Sequence, residues 1–131
     1  DAAIKDCTKA VILKPDFAEA YYNRGLANHA ANKIESAIAD YDKAIAIDGQ
    51  YEAAYAQRGY MHYLSGQNKL AITDYTEAIE IRPDDSATYL NRALAYHNDS
   101  QIDKAISDLQ KSCALKNEQA CQIAKDISKK R

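Results

Sequence analysis

An all-α array of antiparallel helix pairs is the fold this sequence predicts. Three observations point to it. The chain matches itself at a shift of 34 residues (Tyr21 to Tyr55 to Tyr89), each unit holds two stretches with apolar residues at helical spacing, and helix breakers are few, four Gly and two Pro in 131 residues. Scarce breakers leave room for uninterrupted helices and argue against a β-sandwich or a disordered chain. At the same shift Arg24, Arg58 and Arg92 fall in register, as do Ala37, Ala71 and Ala105, each followed by Ile, and Asp40, Asp74 and Asp108. Pro15, Gly49, Pro83 and Asn117 close successive units.

The first element, Ala2–Leu13, reads as the second helix of a pair, with Ala3, Cys7 and Ala10 in register with later second helices. The chain starts inside a unit, so the partner of this helix is expected outside the sequence. The unit 18–51 follows. Its first half carries Tyr21, Gly25 and Asn28 at three- and four-residue steps; its second half carries Ile34, Ala37, Ile38, Tyr41, Ala44, Ile45 and Ile47 along one face. Asn32-Lys33 forms the turn between them, matched by Gly66-Gln67 and Ser100-Gln101 in the units 52–85 and 86–117. Pro15 and Pro83 end second helices, because proline lacks the amide donor. Asp16 and Asp84 or Asp85 stand where the next helix needs a cap. Gly25, Gly59 and Ala93 are the small residues that let two helices approach, with Ala37, Ala71 and Ala105 expected opposite them. The last element, 118–130, has Ala120, Ile123, Ala124 and Ile127 on one face and Lys125 and Asp126 off it, the pattern of a capping helix with a wet outer side. The expectation is one domain over 1–131: a second helix in 1–15, three full units, and a cap.

The recurring Tyr21…Gly25 and Tyr55…Gly59 in first helices, with Ala37…Tyr41 and Ala71…Tyr75 in second helices, resemble the tetratricopeptide repeat family, and the YYNRGLA stretch its bacterial members. Asn28 and His62 depart from its usual aromatic, Leu109 from Tyr, and Gly49 and Asn117 from Pro. The resemblance implies eight helices in a right-handed α-solenoid and a protein–protein interaction scaffold whose first helices line a concave groove. The sixth unit position then gives a carboxamide ladder, Asn23, Gln57 and Asn91, able to pair with the main chain of a protein or peptide partner through donors and acceptors alike. Beside it lie Tyr22, Leu26, Tyr60, Tyr63, Leu90, Leu94, His29 and His97, aromatic and aliphatic anchors for such a segment. The clamp by which some family members hold a carboxylate tail needs Lys or Arg at the second and sixth positions; here those are Glu19, Ala53, Ala87 and the three carboxamides. Two further functions stay open: self-association through the open face of the first helix, and service as a regulatory segment of a larger enzyme.

Arg24, Arg58 and Arg92 read either as a stripe for an acidic partner or as structural pairs with Asp40, Asp74 and Asp108, sixteen residues on; the pairing is favoured because guanidinium suits bidentate, half-buried contact with carboxylate. Cys113 and Cys121 span the final loop at a spacing that is bridged in similar cysteine-rich repeat proteins. A bridge would imply an oxidising compartment such as a periplasm, and two buried thiols a cytoplasm; Cys7 has no evident mate. A net charge of −2 gives no general pull toward nucleic acid or anionic lipid, and no apolar run reaches membrane-spanning length. His29, His62 and His97 are too scattered for a local metal set, and no phosphate loop or nucleophile motif occurs. No cofactor, metal or catalysis is expected.

Overall fold

The computed structural model describes residues 2–130 and is helical throughout its elements. Eight helices occur among the described residues: α1 (Ala2–Leu13), α2 (Ala18–Ala30), α3 (Ile34–Ile47), α4 (Glu52–Leu64), α5 (Asn68–Ile81), α6 (Ser86–Asn98), α7 (Ile102–Ala114) and α8 (Glu118–Lys130). α2–α3, α4–α5 and α6–α7 are tight hairpins; α1 packs on α2 and α8 on α7.

Each hairpin is closed by the same local chemistry. The first helix ends in a residue of left-handed backbone, Asn32 (φ 61°), Gly66 (φ 77°) or Ser100 (φ 62°). That conformation sends the next amide back onto the helix: Lys33 N–H donates to Asn28 O at 2.8 Å, Gln67 to His62 O at 2.8 Å, and Gln101 to Tyr96 O at 2.9 Å. Between hairpins the chain instead crosses 48–51 and 82–85, where no described residue has positive φ. The α7–α8 junction departs from that rule. It has Lys116 at φ 76° and Asn117 N–H donating to Ser112 O at 3.1 Å, so it is built like a turn within a hairpin.

The caps differ from expectation. Asp85 does cap α6, its side chain accepting from Ala87 N–H at 3.1 Å, and Asn117 caps α8 through Ala120 N–H at 2.9 Å. Asp16 does not cap α2: Phe17 occupies that position with no side-chain bond. The chain enters α2 one residue later than Asp16 requires, so the carboxylate stays outside the first turn.

The core runs between the layers. Tyr41 and Tyr75 are fully buried, as are Ala37, Ala71 and Met61. Gly25 and Gly59 face these tyrosine rings rather than Ala37 and Ala71; a Cβ on Gly25 would stand 2.5 Å from Tyr41 Cε1. The small residue therefore makes room for a ring, not for a matching small residue. In the third hairpin the pair is Ala93 with Leu109, and α8 covers it through Ala120, Ile123, Ala124 and Ile127. No described helix is long and apolar enough to cross a membrane.

Candidate functional site

The hairpin spacing places α2, α4 and α6 side by side, and a hollow of about 570 Å³ opens between them. It is lined by Leu26 and His29 from α2, Ala56, Gln57 and Tyr60 from α4, and Ala87, Thr88 and Asn91 from α6, with Asp85 at its edge. Of the residues singled out from sequence, Leu26, Gln57, Tyr60 and Asn91 meet there, with His29 edge-on to Tyr60 at 5.8 Å. Tyr63 stacks on Tyr60 at 6.3 Å outside the lining set.

The others are distributed differently. Leu94 and His97 line a second, apolar pocket of about 320 Å³ bounded by α6, α7 and α8, together with Ile106, Leu109, Ile123 and Ile127. This pocket lies where the first two hairpins seat a tyrosine ring; Leu109 fills less of it. Tyr22 stacks on Tyr51 at 5.0 Å and tilts against Tyr41 at 5.8 Å. Burial pushes its phenol up, partly offset by a hydrogen bond with Gln57, while Glu52 adds to the rise. Asn23 is exposed and lines neither pocket. The ladder is thus one in register only, and its first rung stands apart.

The arginines form a continuous seam. Arg24 Nη2 lies 2.7 Å from Asp40 Oδ1, with Nε at 3.0 Å from both oxygens. Arg58 grips Asp74 with Nε at 2.9 Å and Nη2 at 2.7 Å, and Arg92 grips Asp108 at 2.7 and 2.8 Å. The free guanidinium edge reaches the preceding hairpin: Arg58 Nη1 donates to Asp42 Oδ1 at 2.9 Å and Arg92 Nη1 to Thr76 Oγ1 at 3.2 Å. Tyr21, Tyr55 and Tyr89 lie against the guanidinium groups at 5.6–5.8 Å. Hydrogen bonding to these carboxylates holds all three arginines above their ordinary range.

Sequence reasoning missed three features of these sites. Asn28 Nδ2 donates to Asp40 Oδ2 at 2.8 Å, and His62 Nε2 sits 3.7 Å from Asp74 Oδ2, so the two departures from the usual aromatic serve the buried carboxylates. Their shared eleventh unit position was the signal. Thr88 and Asp85 in the hollow carried no signal beyond a candidate cap. The arginine link to the preceding hairpin was also legible only as Asp42, sixteen residues before Arg58. Cys113 and Cys121 are joined by a disulfide across the α7–α8 turn, while Cys7 is a free, half-buried thiol.

Comparison with known proteins agrees with this architecture. Two crystal structures of MamA align with 31% identity over 89% of the chain, at TM-scores of 0.82 and 0.83. The chain spans 64% and 68% of the length of those two. A MamA structure from Desulfovibrio magneticus, 22% identical, shares the fold at a TM-score of 0.87 over 92% of this chain and 70% of that one. The second TPR domain of Spaghetti (RPAP3), bound to the HSP90 peptide SRMEEVD, is 25% identical over 76% of this chain and 92% of its own, with a TM-score of 0.74. No curated protein sequence matches. Tetratricopeptide models match residues 18–51 and 86–119, and a TPR repeat model matches 59–100. With repeat models matched along most of its length and the same hairpin stack as these structures, the chain belongs to the tetratricopeptide repeat family, whose domains are protein–protein interaction modules.

Proposed function

We propose that this chain is a scaffold holding an extended segment of a protein partner along α2, α4 and α6. The observation that carries this is the hollow between those helices, where Gln57 and Asn91 stand among Leu26, Ala56 and Tyr60. Carboxamides can satisfy main-chain donors and acceptors of any sequence, and the apolar walls supply burial. Asn23 would extend the same contact beyond the hollow. The test is affinity selection of peptides by wild type and by an Asn23→Ala/Gln57→Ala/Asn91→Ala variant of unchanged melting temperature. Equal selection by both removes the carboxamides from the reading.

A second reading, self-association through α1, draws on the exposure of Ile12 (72%) and Leu13 (80%), with Phe17 nearby. Such a run on one helix end is an unfavourable surface for an isolated domain. Light scattering across a concentration series decides it: a single monomeric mass throughout excludes this mode.

A further inference from the structure

The hollow has a one-sided charge. Neither Lys nor Arg lines it, and its single carboxylate is Asp85. Asp85 Oδ1 is engaged by Ala87 N–H at 3.1 Å, while Oδ2 takes part in no hydrogen bond among the described residues. Glu52, the first residue of α4, lies outside the lining but within electrostatic reach of Asp85. Burial and then the charge of Asp85 push its carboxyl up, with Arg82 opposing them to a lesser extent. Arg82 lies 3.5 Å from Asp84, with both side chains mostly exposed. The acidic side chains here are thus Asp85, in the hollow, and Glu52 near it.

A separate observation concerns Thr88. It is 3% exposed and lines the hollow, yet its hydroxyl makes no hydrogen bond among the described residues. Lining the hollow, that hydroxyl is able to accept a hydrogen bond from a group bound there. Around it Leu26, Ala56 and Tyr60 form apolar and aromatic walls, suited to the aliphatic stem of a long cationic side chain.

From these features we infer that the hollow receives a lysine or arginine side chain of the bound segment. Its stem lies along Leu26, Ala56 and Tyr60, and its cation meets Asp85 with Thr88 as a second acceptor. The inference rests on the groove proposed above and names the partner's chemistry: a basic segment. An acidic one, such as the SRMEEVD peptide in the RPAP3 structure, would meet Asp85 and Glu52 with no cation in the hollow to receive it.

The test uses the full chain against a bead library of octapeptides, randomised at every position and blocked at both ends, followed by anisotropy titration of the selected sequences. Lys or Arg should be enriched at one position. Asp85→Asn keeps a good helix cap, so its melting temperature stays near wild type while affinity for the selected peptides falls about tenfold. Replacing the selected Lys by norleucine should cost the same factor in wild type and nothing further in Asp85→Asn. Glu52→Gln should give a smaller loss, and raising salt from ~50 to ~300 mM should weaken wild-type binding. Bound peptides without Lys or Arg enrichment, or with affinity indifferent to Asp85→Asn, overturn this inference and leave the groove standing. No selected peptide at all overturns the groove itself.

Discussion

Gly25 lies under the ring of Tyr41, so close that a methyl group on its Cα would stand 2.5 Å from Cε1 and 2.8 Å from Cδ1 of that ring. Gly59 stands in the same relation to Tyr75, at 3.0 and 3.1 Å. In the third hairpin both members of the pair change together, to Ala93 and Leu109. Gly25→Ala should therefore destabilise the protein by about 1–2 kcal/mol, overpacking outweighing a helix-propensity gain of about 1 kcal/mol. Gly59→Ala should cost less. Adding Tyr41→Leu to Gly25→Ala should recover part of the loss. Chemical denaturation of the four members of that cycle gives the coupling, and additive effects would mean that the ring and the glycine do not act as a pair.

Tyr41 and Tyr75 hold their hydroxyls in the core without a hydrogen-bond partner among the described residues. An unsatisfied buried hydroxyl costs about 1–3 kcal/mol, so Tyr41→Phe and Tyr75→Phe should each raise stability by roughly 1 kcal/mol. Burial also pushes both phenols well above their ordinary value. A folded-state value above the unfolded one means that the contribution is intact below the unfolded value, near 10, and is lost as pH rises beyond it. Melting temperature should then fall above about pH 10 in wild type and less steeply in the double Phe variant. Equal alkaline loss in both would assign the effect elsewhere.

Arg58 joins two hairpins through Asp74 and Asp42, but unequally. Asp74 is 4% exposed, whereas the Asp42 side chain is largely in solvent. Arg58→Ala leaves the Asp74 charge buried and unpaired and should cost roughly 3 kcal/mol. Asp42→Ala removes a surface contact worth no more than about 1 kcal/mol. Arg58→Lys keeps the charge, loses the two-pronged grip, and should fall between. A loss of partner binding by Arg58→Ala at unchanged melting temperature would move the residue from the seam to the binding surface.

The disulfide between Cys113 and Cys121 predicts one titratable thiol in the unfolded, unreduced protein and three after reduction. Closing so short a loop contributes about 2–3 kcal/mol by the chain-entropy account. Cys113→Ser/Cys121→Ser should accordingly lower protection from hydrogen exchange in α8 before it does so in α4 or α5. Three free thiols in the untreated protein would show that the bridge does not form.

The fold class was legible because the same physical problem recurs every 34 residues: two helices must bury one face each, and the residues that solve it repeat. The apolar spacing of 34–47, the breakers at Pro15 and Pro83, and the turn at Gly66 are local devices, readable without neighbours. The single covering face of α8 was legible for the same reason. Register also brought Arg24, Arg58 and Arg92 to attention, since a charge that recurs with an opposite one sixteen residues on implies adjacent helices.

What register could not decide was which side chains share a space. Asn23, Gln57 and Asn91 hold equivalent places in the sequence, yet only the last two line the hollow, because it forms between successive first helices and α2 sits at its margin. Leu94 and His97 line another pocket because the helices beside them are α7 and α8, not a further first helix of a full unit. Asp16 lost its cap to a one-residue difference in helix entry, and the α7–α8 junction became a tight turn through the left-handed backbone of Lys116. The sequence by itself determined the unit, its two helices and the residues that repeat between them, since those follow from interactions within a few turns of chain. Only the tertiary structure decided the groove, the arginine link to the preceding hairpin and the unfilled space under α8, because each is made by residues of different units and depends on how closely those units pack.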